Sequence, residues 1–261
     1  MKYAVFFDFD GTIWDIEQNI PQDTIDAIRA LRANGHYAFL CSGRTRAFIT
    51  EPNLLEIGFD GIVAGCGTYV EKDGEILRNH IIPSDLVEDT TRLLKKYGMP
   101  VVLEGNRYLH MDLDDFEGDP FRDILIEKVG SNLKPIRGTK ALWSINKFSV
   151  NQVSDALEIV EPILEKEYTI LRHGFEFMEL VPKGFDKGVG LQYMAEQVAV
   201  DLEHTVAIGD SVNDLDMLQR AGYGIAMGNG TQEAKAAADF VTTNLEDGGI
   251  AHALRHLNLI P

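Results

Sequence analysis

Residues 3–12 read YAVFFDFDGT, an apolar run followed at once by two aspartates two positions apart. The run over 3–7 is typical of a buried parallel strand. Because side chains two apart on an extended strand point the same way, we expect Asp8 and Asp10 to leave its carboxyl end together. Open α/β sheets bind ligands at that end. Taken alone, the motif also fits a solvated acidic turn.

The two aspartates need a positive neighbour or a shared proton, because adjacent carboxylates repel each other. A hard divalent cation with oxygen ligands meets that need. Gly11 allows the sharp turn that follows, and the hydroxyl of Thr12 can satisfy backbone groups left without partners. The motif therefore predicts a cation site at the end of the first strand.

The composition describes a globular, strongly acidic protein. The chain has 261 residues and a formal net charge of −17, and its sequence pI is about 4.7. Such a surface repels nucleic acid and anionic membranes, so we expect neither as a partner. Any site for a phosphorylated ligand must therefore be positive locally, through a metal, a lysine or backbone N–H groups.

The cysteine content and the start of the chain favour a cytoplasmic protein. Cys41 and Cys66 are too few for a disulfide scaffold and lack metal-ligand spacing, which is typical of a reducing compartment. The first strand begins within three residues, which leaves no room for a signal peptide. No apolar stretch approaches the length of a membrane span.

Apolar runs and helical patterns alternate in the two outer parts of the chain but not in the middle. This predicts a Rossmann-like, doubly wound parallel-sheet α/β core formed by residues 1–82 and 183–261. Residues 83–182 have the hairpins and helices of an inserted α+β domain. We expect the junctions near Pro83 and Pro182.

The predicted elements follow from the same patterns. In the core they are strands at 3–7, 37–40, 61–64, 205–208, 224–227 and 240–241, a hairpin over 69–77, and helices at 22–34, before Gly58, at 186–198, up to about 221, at 231–238 and at 248–257. In the insertion they are helices at 84–97, 120–128 and 152–166, a strand at 145–150, and hairpins over 101–111 and 168–181, the latter turning at His173-Gly174.

The second predicted strand ends at a short polar turn. Ser42 follows it, at the sheet edge predicted for Asp8, and its hydroxyl can bind a phosphate oxygen. Gly43 keeps the backbone open there. Arg44 fits either a substrate contact or a salt bridge that orients the loop, and Ser-Gly is also an ordinary turn.

Lys187 stands at the start of the predicted helix 186–198. A lysine in the first helical turn is unfavourable for the helix dipole. A functional reason therefore gains weight, because its ammonium can neutralise a phosphate or a carboxylate. An exposed, solubilising lysine is the alternative, and we expect the neighbouring Lys183 to be one.

The stretch GDSVND, residues 209–214, supplies three more polar groups. Asp210 follows a predicted buried strand, and Asn213 and Asp214 lie in the first turn of the next helix. Offsets of three and four bring groups to one helical face. Capping of the helix explains one acid or amide, but it does not explain three groups converging with those of the first strand.

Together these motifs resemble those of the haloacid dehalogenase superfamily of phosphohydrolases. Asp8 to Thr12 are similar to its first motif, Ser42 to its second, Lys187 to its third, and 209–214 to its fourth. The insertion between the second and third motifs resembles the cap of the Cof-type, or class IIB (C2B cap), subfamily. The ending over 239–250 is similar to that subfamily as well.

The chain departs from the subfamily pattern at two places. Cys66-Gly67-Thr68 stand where Asn-Gly-Ala is usual, and Trp14 replaces a smaller leucine. Both changes bear on substrate choice rather than on the chemistry. Trp14, Arg44 and Thr68 are therefore predicted as possible substrate contacts.

The resemblance implies a role for each motif residue. Asp8 would be the nucleophile that forms an aspartyl-phosphate, and Asp10 the general acid and then the general base. Mg²⁺ would be held by Asp8, Asp210 and the backbone carbonyl of Asp10. Asp214 would act on the metal through a water molecule or would hold the metal ligands in place, and Asn213 would orient the site. The transferring phosphoryl group would be stabilised by Ser42, Lys187 and the loop at Phe9 and Gly43.

The implied activity is Mg²⁺-dependent hydrolysis of a small phosphorylated metabolite, such as a sugar phosphate or a phosphorylated cofactor. A phosphomutase would use the same residues but return the phosphoryl group to its substrate. A signalling receiver domain also has an acceptor aspartate, but not on its first strand. A non-catalytic phosphoryl-ligand-binding protein would be expected to lose Asp8 or Asp10. We expect a monomer or a weak homodimer.

Overall fold

The structure is a computed structural model that describes residues 2–173 and 176–261. Its strands are β1 (Ala4–Phe7), β2 (Tyr37–Cys41), β3 (Gly61–Ala64), β4 (Tyr69–Lys72), β5 (Glu75–Asn79), β6 (Val101–Gly105), β7 (Leu109–His110), β8 (Leu133–Lys134), β9 (Ile145–Asn151), β10 (Tyr168–His173), β11 (Phe177–Pro182), β12 (Thr205–Gly209), β13 (Tyr223–Ala226) and β14 (Phe240–Val241). Its α-helices are α1 (Gln22–Ala33), α2 (Pro52–Leu55), α3 (Ser84–Lys96), α4 (Pro120–Val129), α5 (Leu157–Leu164), α6 (Lys187–Gln197), α7 (Leu215–Arg220), α8 (Gln232–Ala237) and α9 (Gly249–His256).

The chain divides into two compact units. The first, called the core unit here, consists of Met1–Gly43, Glu51–Leu77 and Asp186–Pro261. The second, called the inserted unit, consists of Arg44–Thr50 and Arg78–Phe185. The core unit thus contains every motif residue from Asp8 to Asp214 except Arg44.

The core unit is built on a sheet of order β14-β13-β12-β1-β2-β3-β4-β5. The strands from β14 to β3 run parallel, and β4 is antiparallel to β3. The order rises in one direction from β1 and jumps to β12 in the other, so a topological switch lies between β1 and β12. Ligands of open α/β sheets bind outside the carboxyl ends of the strands at such a switch.

Both faces of this sheet are covered, as a parallel sheet requires. Alternate residues such as Phe6, Phe39 and Val63 pack with Leu191 of α6 and Met217 of α7 in one buried cluster. Helices α1 and α9 contact each other, and α1 also contacts β2. The predicted fold class, a doubly wound α/β core, is therefore confirmed.

The inserted unit has its own sheet, of order β10-β11-β9-β6-β7-β8. All neighbouring strands in it are antiparallel except β7 and β8. Alternate residues of the sheet, among them Leu103, Phe148 and Leu180, form a buried apolar cluster with Leu94 of α3 and Val160 of α5. An α+β unit with an independent hydrophobic core follows from this packing.

Two details of the inserted unit bear on the predicted elements. Helix α5 was predicted to begin near residue 152, but it begins at Leu157. Gln152 has a φ of +54°, a left-handed conformation that a regular helix does not contain. The predicted turn at His173-Gly174 falls partly outside the described residues, although strands β10 and β11 pair on either side of it.

Helix length and hydropathy rule out a membrane-spanning helix within the described part of the chain.

Candidate active site

Strands β1 and β12 bring two aspartates to the same sheet edge. Phe7 is paired with Ile208, and the backbone N–H of Asp8 donates to the carbonyl of Ile208 at 2.9 Å. Asp8 and Asp210 therefore follow neighbouring parallel strands at their carboxyl ends. Gly209, directly before Asp210, has no room for a side chain, because a Cβ atom there would lie 2.6 Å from Cγ of Asp214.

The turn after β1 folds closely against Asp210. Gly11 has a φ of +81°, and a Cβ atom on it would lie 2.5 Å from Oδ2 of Asp210. Thr12 Oγ1 donates to Asp210 Oδ1 at 2.9 Å. Gly11 thus permits the turn to lie against Asp210, and Thr12 orients the carboxylate of Asp210 by a hydrogen bond. The threonine was predicted to serve backbone groups, but its hydroxyl bonds this side chain instead.

Lys187 is the first residue of α6, and its ammonium is surrounded by acceptors. Its Nζ donates to Asp8 Oδ1 at 2.6 Å, to Asp214 Oδ1 at 2.6 Å and to Asn213 Oδ1 at 3.1 Å. Its side chain is 1 % exposed. Asp186 caps the helix by accepting from the N–H of Val189 at 2.6 Å. The interpretation of Lys187 as an exposed solubilising residue is therefore wrong, whereas Lys183 is exposed as predicted.

A pair of glycines lets α6 approach the sheet edge. A Cβ atom on Gly190 would lie 2.7 Å from Cα of Gly67. Gly67 has a φ of +82°, and a Cβ atom on it would lie 2.5 Å from the carbonyl oxygen of Asp186. Neither position has room for a side chain. The turn that contains Cys66-Gly67-Thr68 therefore supports the start of the helix that carries Lys187.

Asp214 is fully buried and uses both carboxylate oxygens within the protein. Its Oδ1 accepts from Lys187, and its Oδ2 accepts from the backbone N–H groups of Asp210 and Ser211, each at 2.9 Å. Ser211 Oγ donates to Asn213 Oδ1 at 2.8 Å. Asp214 therefore holds the loop of Asp210 and the ammonium of Lys187 in one arrangement.

The charged groups of this site change one another's pKa values. Burial, together with the carboxylates of Asp214 and Asp210, raises the pKa of Asp8 well above its usual range, although Lys187 opposes the shift. Burial and Asp214 raise the pKa of Asp210 to about 6. Burial alone would lower the pKa of Lys187, but Asp214 and Asp8 outweigh it and raise that pKa well above its usual range.

This site suits a hard divalent cation. Asp8, Asp210 and Asp214 each offer a carboxylate oxygen, and these oxygens lie within 4.8 Å of one another. Burial, and then the neighbouring carboxylates, raise the pKa values of Asp8 and Asp210, and a bound cation would oppose both shifts. Oxygen donors of this kind are typical ligands of Mg²⁺. Because both oxygens of Asp214 are already bonded within the protein, Asp8 and Asp210 fit the ion best.

The second motif lies beside this group. Ser42 is buried, its N–H donates to the carbonyl of Val63 at 2.8 Å, and its own carbonyl accepts from the N–H of Cys66 at 3.2 Å. These bonds fix the main chain that leads to Gly43. Thr68 Oγ1 donates to the carbonyl of Gly65 at 2.7 Å, so this hydroxyl stabilises its own turn.

Asp10 and the remaining predicted contacts are placed as follows. Asp10 is exposed, and its Oδ1 accepts from the indole Nε1 of Trp14 at 2.9 Å. Phe9 is buried and stacks on Trp14. Arg44 belongs to the inserted unit, where its guanidinium lies 4.8 Å from the centroid of the Phe48 ring. Substrate contacts by Trp14, Arg44 and Thr68 stay predictions.

One residue of the site was missed from the sequence. Asn229 Nδ2 donates to the carbonyl of Gly11 at 2.7 Å, and its Oδ1 accepts from the N–H of Leu245 at 2.9 Å. It thereby ties the first motif to the loop before α9. A signal was present, because Gly228-Asn229-Gly230 follows β13 at the carboxyl edge of the sheet, where an amide between glycines is available for such a bond.

Comparisons with known proteins identify the family of the chain. The haloacid dehalogenase-like hydrolase family matches residues 5–254. A Bacillus subtilis protein named 5-amino-6-(5-phospho-D-ribitylamino)uracil phosphatase YitU is 29% identical over 265 residues, which cover 97% of this chain and 96% of its own.

Two solved structures have the same fold. A protein from Geobacillus kaustophilus HTA426 is 29% identical, with a TM-score of 0.84 and all of both chains covered. The subclass IIB sugar phosphatase BT4131 is 26% identical, with a TM-score of 0.83 over 99% of this chain and 100% of its own. The Cof-type resemblance drawn from the motifs is confirmed. The chain therefore belongs to the haloacid dehalogenase-like hydrolases and is an enzyme of their phosphatase subfamily.

Proposed function

We propose that this enzyme hydrolyses a small phosphomonoester through an aspartyl-phosphate on Asp8, with Mg²⁺ as its cofactor. One observation carries the proposal, namely the convergence of three carboxylates, Asp8, Asp210 and Asp214, at the switch point of the sheet, where two of them pair with the ammonium of Lys187. A purely structural ion pair needs one carboxylate per ammonium. The additional carboxylates are explained if they bind a cation that, together with Lys187, neutralises a dianionic phosphoryl group.

The reaction has two steps, which split one difficult displacement into two easier ones. A carboxylate oxygen of Asp8 attacks the phosphorus, the bond to the leaving oxygen breaks, and Asp10 gives its proton to that oxygen. Asp10 then takes a proton from a water molecule that attacks the same phosphorus. The bond to Asp8 breaks, inorganic phosphate leaves, and both aspartates return to their starting states.

The other residues stabilise charge and hold geometry. Lys187 would neutralise the nucleophile before attack and the phosphoryl oxygens during transfer, since its ammonium lies 2.6 Å from Asp8. The hydroxyl of Ser42 and the N–H groups of Phe9 and Gly43 would bind phosphoryl oxygens. Asp8, Asp210 and the backbone carbonyl of Asp10 would hold Mg²⁺, which would supply neutralising charge to the transferring phosphoryl group.

The substrate class follows by analogy. Among similar proteins, YitU is named for a phosphorylated ribitylamino-uracil and BT4131 as a sugar phosphatase. We assign this enzyme a small phosphorylated metabolite, such as a sugar phosphate or a phosphorylated cofactor, and a cytoplasmic location. Cys41 and Cys66 are buried and form no disulfide with each other, which fits a reducing compartment. We expect a monomer or a weak homodimer.

The decisive experiment is a panel of phosphorylated metabolites assayed for inorganic phosphate, with Asp8→Asn protein as the blank. We expect release that needs Mg²⁺ and is absent from the variant. Conversion of a substrate into an isomer without release of phosphate would indicate a mutase instead. Binding of phosphorylated compounds without any turnover would indicate a non-catalytic binding protein.

We assign substrate choice to the inserted unit, because the residues proposed to carry out phosphoryl transfer belong to the core unit. Arg107, in the turn between β6 and β7 of the inserted unit, is exposed. Arg107→Ala is expected to alter the ranking of the panel substrates while p-nitrophenyl phosphate hydrolysis stays near the wild-type rate. An equal loss for all substrates contradicts the assignment.

A further inference from the structure

Trp14 closes the turn of the first motif with four separate contacts. Its carbonyl accepts from the N–H of Gly11 at 3.0 Å, and its own N–H donates to the carbonyl of Phe9 at 3.4 Å. Its ring stacks on the ring of Phe9 with 4.1 Å between centroids. Its indole Nε1 donates to Asp10 Oδ1 at 2.9 Å. Trp14 is 2% exposed, so this ring is held by its surroundings.

The contact with Asp10 differs in kind from the other three. Backbone bonds and stacking support the turn, and an apolar residue of suitable size could replace most of that support. The indole N–H, in contrast, holds one oxygen of a carboxylate on an exposed residue. Leucine, the usual residue of the subfamily at this position, has no donor to offer.

The chemistry of the indole also assigns the two oxygens of Asp10. An indole nitrogen donates and does not accept. In this arrangement Oδ1 of Asp10 accepts the indole N–H. Because a carbonyl oxygen is a better acceptor than a carboxylic hydroxyl oxygen, the proton of the neutral acid is favoured on Oδ2. If the rotamer and the protonated oxygen of a general acid are set before the reaction, orienting the acid adds less to the activation free energy.

We propose that Trp14 is a positioning residue for Asp10, whose indole N–H holds the carboxylate so that Oδ2 exchanges protons with the leaving group and with water. The inference rests on the proposed function, because it requires Asp10 to be the general acid and base. It adds a specific task for a residue that the sequence marks as unusual in size and as a possible substrate contact.

The test separates the N–H from the ring. Trp14→Phe keeps an aromatic ring against Phe9 and removes the donor. A benzothienylalanine at position 14, introduced site-specifically, replaces only the N–H by sulfur and serves if the phenylalanine variant does not fold. Trp143→Phe is the matched control, because the indole nitrogen of Trp143 has no hydrogen-bond partner among the described residues.

Two small probes report on proton transfer, namely phenyl phosphate and p-nitrophenyl phosphate, since phenolate is the poorer leaving group. General acid–base catalysis contributes about 10²–10⁴-fold. We expect Trp14→Phe to lower single-turnover phosphoryl transfer from phenyl phosphate by about 10–100-fold and from p-nitrophenyl phosphate distinctly less. KM should change by less than about threefold, because substrate binding does not use the indole N–H.

A double-mutant cycle with Asp10→Asn then shows whether Trp14 acts through Asp10. In the Asp10→Asn background, Trp14→Phe is expected to change the phenyl phosphate rate by less than about twofold. The same fold-loss in both backgrounds, or wild-type rates in Trp14→Phe and in the benzothienylalanine protein, overturns the inference. Wild-type rates in Asp10→Asn alone overturn the proposed mechanism, and the inference with it.

Discussion

Asp214 and Lys187 form a buried ion pair, and both carboxylate oxygens of Asp214 accept hydrogen bonds. Oδ1 accepts from the ammonium at 2.6 Å, while Oδ2 accepts from the backbone of Asp210 and Ser211. The pair therefore connects the start of α6 to the loop after β12. It also places a positive charge against Asp8 before any substrate arrives.

Removal of the ammonium is expected to destabilise the enzyme as well as inactivate it. Lys187→Met leaves Asp8 and Asp214 buried without their counter-charge, and breaking a buried pair in this way costs about 3–5 kcal/mol. Urea unfolding in the presence of EDTA measures the change in the free energy of unfolding. Lys183→Met, at an exposed lysine, is the control and should change that free energy by less than about 0.5 kcal/mol.

A second variant separates charge from packing. Addition of Asp214→Asn to Lys187→Met removes one of the two unpaired charges and should recover part of the lost stability. Equal or greater instability of the double variant would show that packing, and not unpaired charge, is responsible for the loss.

Mg²⁺ binding is expected to stabilise the folded enzyme independently of turnover. A ligand at 100 times its Kd adds about 2.7 kcal/mol to the free energy of unfolding, which thermal unfolding with and without Mg²⁺ measures. Asp210→Asn should lose most of this increase, because Asp210 is half-exposed beside Asp8 and suits the ion. EDTA should abolish phosphate release, and added Mg²⁺ should restore it. Full activity after exhaustive chelation rules out a role for the metal.

Asp8 is expected to carry the phosphoryl group during turnover. Acid quenching within the first turnover, followed by intact-mass measurement, should show wild-type protein heavier by one phosphoryl group. Peptide mapping should place that group within the segment that contains Asp8. Asp8→Asn protein should show no added mass, although it should bind substrate nearly as well. A labelled residue other than Asp8 would require a different nucleophile.

Asn229 should matter for catalysis although the two hydrogen bonds of its side chain are made with backbone groups. Its amide donates to the carbonyl of Gly11 and accepts from the N–H of Leu245. Asn229→Asp keeps the acceptor but turns the donor into an oxygen that repels the carbonyl of Gly11. We expect kcat to fall by about 10-fold or more, since small displacements in an active site are costly. Exposed Asn132, changed to aspartate, is the control, and equal effects at both positions would contradict this role.

The inserted unit contains an ionic cluster that should make stability depend on pH. Glu179 on β11 pairs with Lys147 on β9 and lies 3.3 Å from Nε2 of His173. Burial alone would raise the pKa of Glu179, but Lys147 and His173 outweigh it and lower the pKa to about 2. The folded pKa lies below the usual value of 4.5. The stabilisation is therefore complete above about pH 4.5 and is lost as the pH falls towards 2.

Glu179→Gln should remove this dependence. We expect the wild-type protein to lose on the order of 1–3 kcal/mol of stability through Glu179 between pH 5 and pH 2, and the variant to lose correspondingly less. Urea unfolding at a series of pH values provides the comparison. Glu127→Gln, at an exposed position of α4, should follow the wild-type curve, and an unchanged acid limb in Glu179→Gln would show that the pair does not stabilise the unit.

The sequence predicted well those features that depend on local periodicity. The apolar runs at 3–7 and 205–208 appear as β1 and β12, and the groups that follow them meet at one sheet edge. Parallel strands with short connections have few possible arrangements, so a motif at the end of a strand is placed almost as soon as the strand is recognised. The length of α5 was predicted less well, because the hydrophobic pattern does not signal the left-handed backbone of Gln152.

The sequence by itself determined the fold class and predicted the two-part organisation and the residue types of the reaction, because these follow from hydrophobic period and from motif order. Only the tertiary structure decided which atoms share a bond. Lys187 and Asp214 are 27 residues apart, and Asn229 and Gly11 are 218 apart. Trp14 and Asp10 are close in the chain, yet the indole reaches the carboxylate only because the ring is locked against Phe9. Contacts of this kind depend on side-chain rotamers selected by the packing of the whole unit, which no local pattern specifies.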